Sequence, residues 1–260
     1  MRPQDRQQIA NGFGVAPALV PLLGELLRDI WVLGSWPERI VELVGEHTPL
    51  PAGSTVLDLG CGKGAVAVPL ARELGLRVHG VDLFPSFLED ARERAAAAGV
   101  AALCRFECLD LRRAVRRPSG CDLVVLAGVG AGVFGGFPNC VAEMRRAVGP
   151  GGFVLVDDGF LLDEEPATEP GYEYYRSRAD TVAELTSHGE VLVHEALVPQ
   201  AELEAYNRRN NRFIRARARG LSTEHPELAE ELALFVRSEQ EECEFLESRT
   251  RAAIWLLRRR

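Results

Sequence analysis

The chain has 260 residues, enough for one large domain or two small ones with no need of metal or disulfide staples. Its residues are 47% hydrophobic and 26% charged, which excludes a disordered or fibrous chain. Thirty Lys and Arg stand against 38 Asp and Glu, a net charge of −8, so the chain as a whole has no attraction to nucleic acid or anionic lipid.

The first eleven residues, MRPQDRQQIAN, carry charges and glutamines where a secretory signal needs an apolar run. The apolar stretches, such as Val15 to Leu23, are far shorter than the roughly 20 residues that span a bilayer. A cytoplasmic protein without membrane or nucleic-acid partners is expected. The six cysteines (Cys61, Cys104, Cys108, Cys121, Cys140, Cys243) include no C-x-x-C pair and read as reduced thiols buried in apolar runs.

Leu19, Leu22, Leu23, Leu26, Leu27 and Ile30, then Ile40, Val41 and Val44, recur at helical spacing and predict two helices, an N-terminal helical cap over residues 1–48. From there short β-rich runs alternate with helical patterns, the signature of an α/β sheet. Strands are predicted at Ser54–Leu59, Leu76–Val81, Ala102–Glu107, Asp122–Ala127 and Phe153–Val156. Helices are predicted at Lys63–Leu74, Pro85–Ala98 and Pro138–Val148, with a tight turn at Gly149-Pro150-Gly151-Gly152. Glu190–Val198 and Ala252–Leu257 read as a sixth and a seventh strand, separated by two helices in an insertion at about 199–249. Residues 49–260 are therefore expected to form one domain interrupted by that insertion.

The segment Val56-Leu57-Asp58-Leu59-Gly60-Cys61-Gly62-Lys63-Gly64-Ala65 joins a buried strand to a helix through a glycine loop, where bare backbone lets a nucleotide-like ligand come close. Gly60, Gly62 and Ala65 also satisfy the dinucleotide pattern G-x-G-x-x-[GA]. Two carboxylates sharpen the reading. Asp82 closes the second strand, where a carboxylate can accept both hydroxyls of a ribose. Asp58 ends the first strand, where a negative charge opposes a pyrophosphate and suits an ammonium.

DLGCGKGA, followed by HGVDLFP, FECLDLR, CDLVVLAG and the GPGG turn, resembles the ordered motif set of class I S-adenosylmethionine-dependent methyltransferases. The resemblance covers roughly residues 50–198 and returns in the last strand, and it is nearest to stand-alone bacterial small-molecule enzymes related to the ubiquinone and menaquinone biosynthesis methyltransferases. It implies a Rossmann-like seven-stranded sheet of order 3-2-1-4-5-7-6 with the last strand antiparallel. It also implies S-adenosylmethionine as cofactor and a small-molecule acceptor. Gly60, Gly62 and Gly64, with Cys61 between them, would cradle the methionine part, and Asp58 would lie near its amino group. Asp82 would hold the ribose hydroxyls. Leu83 and Leu111 would flank the adenine, with Asp110 near its amino group, and Ala127 and Gly128 would line the methionine and the transferring methyl.

Asp157 and Asp158 are expected at the crevice mouth, with Asp158 favoured as a general base. Lys63 is read as a solvated side chain at a helix start. Residues 128–136, with five glycines in nine, are expected to approach the substrate or move as a lid. Residues 159–178, with Phe160, Tyr172, Tyr174 and Tyr175, are expected either to cover the substrate or to anchor a loop. His79 and His194 lie in strands and read as core histidines. The basic run from Arg208 to Arg219 is expected to pair with Glu227, Glu230 and Glu231. Two rival functions remain: a nicotinamide-dependent dehydrogenase, and a non-catalytic S-adenosylmethionine-binding regulator.

Overall fold

The computed structural model describes residues 6–7, 9–10, 14–117 and 120–260. Two compact units divide the chain: residues 1–31 with 199–250, and residues 32–198 with 251–260.

The larger unit is built on seven strands. In chain order its elements are α2 (Pro37–His47), β1 (Thr55–Leu59), α3 (Ala67–Leu74), β2 (Arg77–Asp82), α4 (Pro85–Ala97), β3 (Cys104–Cys108), α5 (Leu111–Ala114), β4 (Cys121–Ala127), α6 (Phe137–Ala147), β5 (Val148–Leu161), α7 (Arg178–Leu185), β6 (Val191–Leu197) and β7 (Thr250–Arg258). The α1 label belongs to a single turn of the smaller unit, Leu23–Leu26. The sheet order is β3-β2-β1-β4-β5-β7-β6. The first five strands pair parallel, and β7 pairs antiparallel with β6.

Buried apolar side chains lie on both faces of the sheet, as a parallel sheet covered by helices requires. Val56, Val78, Leu123, Val125, Phe153 and Leu155 belong to one core cluster with residues of α2, α3 and α4. Leu57, Leu59, Val124, Leu126, Val154 and Val156 belong to the other, with Phe137, Val141 and Met144 of α6. Local signals set the helix ends. Proline starts α2 and α4, where its missing N–H costs nothing, and Gly75 closes α3 at φ 66°.

Three predicted elements are corrected. The helix expected from Lys63 begins at Ala67, because residues 62–66 are turns and the loop glycines keep positive φ (74° at Gly60, 49° at Gly62, 74° at Gly64). The Gly149–Gly152 segment is not a tight turn before β5 but part of it: Cys121 pairs with Val148 and Leu123 with Phe153, so the extra residues bulge out of the ladder. β5 also continues through Asp157 and Asp158 to Leu161.

In the smaller unit the first expected cap helix is broken. Pro21 lies inside a 3-10 stretch, Pro17–Leu22, which is followed only by the single turn α1. The two insertion helices are α8 (Gln200–Glu224) and α9 (Ala229–Arg249). Their seam is partly polar. Asn207 donates to Glu247 Oε1 (2.9 Å), Asn211 to Cys243 Sγ (3.2 Å) and Arg215 to Gln240 Oε1 (2.9 Å). Arg217 pairs with Asp29 (2.7 Å), so this arginine of the basic run takes a partner other than the expected glutamates.

Candidate cofactor site

The register decides which carboxylates share a face. Asp58 pairs with Gly80 of β2 and Val125 of β4, and Ala127 pairs with Asp157 of β5. Partners across a parallel ladder point the same way, and side chains alternate along a strand. Asp58, Asp82, Ala127 and Asp157 therefore serve the face covered by α2, α3 and α4, and Asp158 serves the α6 face.

Asp58 is 1% exposed, and its Oδ2 has no hydrogen-bond partner among the described residues. Burial, and then the negative charge of Asp82, push its carboxyl up to about 7. A desolvated carboxylate with an empty acceptor is costly by itself and becomes favourable when a cation meets it.

Asp82 is half-buried and holds the loop. Its Oδ2 accepts the Gly62 amide (2.9 Å) and its Oδ1 the Phe84 amide (2.8 Å). Burial raises its carboxyl above the usual range, while these amides pull it back. The amides of Gly60 and Cys61 both donate to Val81 O (2.8 and 3.0 Å), and that of Gly64 to Cys61 O (2.9 Å). Four loop amides are thus committed within the protein. A pyrophosphate site needs such amides free.

Cys61 turns its side chain away from the loop surface: a Cβ placed on Gly80 would lie 2.8 Å from its Sγ. Only its backbone belongs to the loop, and burial raises its thiol well above the ordinary value. Among the other expected site residues, Leu83 is half-buried beside Asp82 and its carbonyl is 3.7 Å from Cys108 Sγ. Asp110 caps α5 by accepting the Arg112 amide (2.8 Å) and pairs with the Arg112 side chain (3.3 Å). Leu111 and Val129 flank Gly60, whose absent Cβ would lie 3.6 Å from Leu111 Cδ2 and 2.4 Å from Val129 Cγ2. Ala127 is buried at the end of β4, and Gly128 follows at φ 69°.

Asp158, the expected base, is fully engaged. Its Oδ1 accepts from Tyr175 OH (2.6 Å) and the Gly159 amide (2.9 Å), its Oδ2 from Tyr174 OH (2.8 Å) and the Ala131 amide (2.7 Å). A carboxylate offers about four acceptor positions, so none is left for a substrate proton. Tyr174 also accounts for two glycines of the 128–136 stretch: a Cβ would lie 2.8 Å from Tyr174 OH at Gly130 and 2.7 Å from Tyr174 Cε1 at Gly132. Gly130 and Gly132 make room for Tyr174.

Lys63 is not solvated. It is 1% exposed, with Nζ 3.3 Å from Asp90 Oδ2 and 5.3 Å from the Phe87 ring centre, so it ties the loop to α4. His79 meets Glu107 (3.2 Å) at a half-exposed site, and His194 stacks on His47 (4.0 Å between ring centres). None of the six cysteines is in a disulfide, and Cys108 is exposed instead of buried. Among the described residues no group of three His, Cys, Asp or Glu can hold a metal ion, and no helix is long and apolar enough to cross a membrane.

Residues 56–152 match the family model described as Methyltransferase domain. Methyltransferase GfsG of Streptomyces halstedii is 31% identical over 170 residues, covering 57% of this chain and 60% of that protein. The S-adenosyl-L-methionine-dependent Diels-Alderase iccD of Talaromyces variabilis is 36% identical over 121 residues, covering 46% and 41%. A SAM-dependent methyltransferase from Thiobacillus denitrificans, solved with S-adenosyl-L-homocysteine, has the same fold at a TM-score of 0.76 with 24% identity, covering 92% of this chain and 98% of that one. The chain spans 50% and 60% of the lengths of the first curated relatives it matches. With this match over residues 56–152 and this sheet order, the chain carries a methyltransferase domain on the fold of that neighbour.

Proposed function

We propose that the chain transfers a methyl group from S-adenosylmethionine to a small-molecule acceptor. The observation that carries this reading is the orphaned Oδ2 of buried Asp58, beside a glycine loop whose amides are already committed. That pairing fits a ligand presenting an ammonium and disfavours a pyrophosphate, so the residues fit S-adenosylmethionine better than a nicotinamide dinucleotide.

In this reading Asp58 takes the amino group of the methionine part, and Asp82 accepts ribose hydroxyls with the lone pairs its amide bonds leave over. Gly60, Gly62 and Gly64 give backbone access, Leu83, Leu111 and Asp110 border the adenine, and Ala127 and Gly128 border the reacting end. When bound, the cofactor supplies an electrophilic methyl on a sulfonium. The chain's own contribution is positioning and exclusion of water. Asp158 acts as a positioning residue, because its four donors fix residues 130–132 against Tyr174 and Tyr175. The setting is cytosolic, a proposal supported by six cysteines outside any disulfide, and the −8 charge speaks against a nucleic-acid or membrane partner.

A second reading has the cofactor held without methyl transfer. It draws on the relative named as a Diels-Alderase and on the absence of a vacant acceptor at Asp158. One experiment separates the two: incubation with S-adenosylmethionine and a panel of small oxygen, nitrogen and carbon acceptors, read by mass spectrometry. The first reading expects S-adenosylhomocysteine in equal amount to a product heavier by one methylene unit. Conversion of an acceptor with no S-adenosylhomocysteine formed would favour the second.

A further inference from the structure

Residues 32–36 gave no signal in the sequence, yet they lie against the elements that form the candidate site. The carbonyl oxygen of Leu33 approaches Gly128 so closely that a Cβ there would lie 2.3 Å from it and 2.9 Å from the Gly34 carbonyl carbon. Leu33 also reaches the glycine loop, with its Cδ1 3.6 Å from where a Cβ would stand on Gly62. Gly34 runs at φ 76°, a turn that brings the chain down onto Gly128. This strap thus touches both the loop after β1 and the residue after β4.

One side chain pins it. Asp157 is 2% exposed, and its Oδ2 accepts the backbone N–H of Trp36 at 3.0 Å, across 121 residues of sequence. Asp157 is paired with Ala127, the residue before Gly128, so the pin stands directly beside the point where the strap crosses. A buried bond of this kind holds its partner firmly, because a lost acceptor leaves the amide unsatisfied in a dry place.

We infer that Asp157 is a positioning residue for cofactor binding: through the Trp36 amide it holds the 32–36 strap against Gly62 and Gly128, and so fixes one wall of the site. This rests on the cofactor assignment above. It differs from a base or a ligand contact, because Asp157 acts through the strap.

Calorimetric titration of S-adenosylhomocysteine into the parent, Asp157→Ala, Asp157→Asn and Leu33→Ala, with the thermal midpoint of each free protein, tests it. Asp157→Ala should weaken binding at least tenfold. Asp157→Asn, which retains an acceptor for Trp36 N–H, should bind within threefold of the parent. Leu33→Ala, with the pin intact, should weaken binding while changing the midpoint little. If Asp157→Ala fails to fold, Leu33→Ala and Asp157→Asn decide. Parent-like binding by Asp157→Ala or by Leu33→Ala, or an Asn variant as weak as the Ala variant, would overturn the inference. A parent that binds no S-adenosylhomocysteine would overturn the cofactor assignment itself.

Discussion

Asp157 and Asp158 are neighbours in β5 but face opposite sides of the sheet: Asp157 accepts the Trp36 amide at 3.0 Å, and Asp158 the Tyr174 hydroxyl at 2.8 Å. Burial raises both carboxyls above the usual range, and each is held by its own donors. The pair thus joins two segments to one strand, the strap of residues 32–36 on one face and the tyrosine segment on the other.

The Asp158 hub predicts a loss of stability rather than of chemistry alone. Asp158→Ala leaves the Tyr174 and Tyr175 hydroxyls and two amides without their acceptor, at about 1–3 kcal/mol for each that stays buried and unpaired. Urea unfolding should therefore show a loss of roughly 3 kcal/mol or more, and Tyr174→Phe a loss of about 1 kcal/mol. An Asp158→Ala protein as stable as the parent but inactive would return Asp158 to the role of base.

The Gly132 position should tolerate no side chain. A methyl there meets the Tyr174 ring at 2.7 Å, and that ring is held at its hydroxyl by Asp158. Gly132→Ala should cost about 1–3 kcal/mol as an overpacking change. In a Tyr174→Ala background the cost should largely vanish, and a double-mutant cycle would show the coupling. Equal costs in both backgrounds would mean that the glycines serve another purpose.

Lys63 is the sole lysine of the chain, and its burial makes it a reporter. An amine-acylating reagent followed by peptide mass spectrometry should leave the Lys63 peptide unmodified in the native protein and label it in urea. Rapid native labelling would show that the Lys63–Asp90 contact does not persist.

Asp58 predicts a pH dependence. Its folded value of about 7 lies above the ordinary carboxylate value of 3.8, so the folded state keeps a proton that the unfolded chain has released. Stability from this group is fully present below about pH 4 and is lost as pH rises to 7. Asp58→Asn should match the parent in acid and become progressively more stable than it towards pH 8, measured as the thermal midpoint without ligand. A difference constant across that range would place Asp58 in a solvated setting.

Much of the sheet was legible because strands buried on both faces leave mostly apolar runs, as in Thr55–Leu59 and Cys121–Ala127. The loop and its two acids were legible too, being local in sequence. Side-chain direction was not. Lys63 looks exposed if a helix starts there, but the loop's turns delay the helix to Ala67 and turn the ammonium inward. The choice between Asp157 and Asp158 depends on ladder register, a property of strand pairing. Gly130 and Gly132 answer to Tyr174, some forty residues away, and the strap at 32–36 has no periodicity to mark it.

The central claim is that Asp58 awaits the ammonium of S-adenosylmethionine, and calorimetry of S-adenosylhomocysteine binding at pH 6 in buffers of different ionisation heat tests it most directly. Binding at micromolar affinity or tighter is expected, on the order of −8 kcal/mol. It should release up to one proton, as the ligand's cation returns Asp58 to its charged form, and Asp58→Asn should abolish that release and weaken binding. No binding of S-adenosylhomocysteine together with binding of NAD, or binding with no proton released, would contradict it.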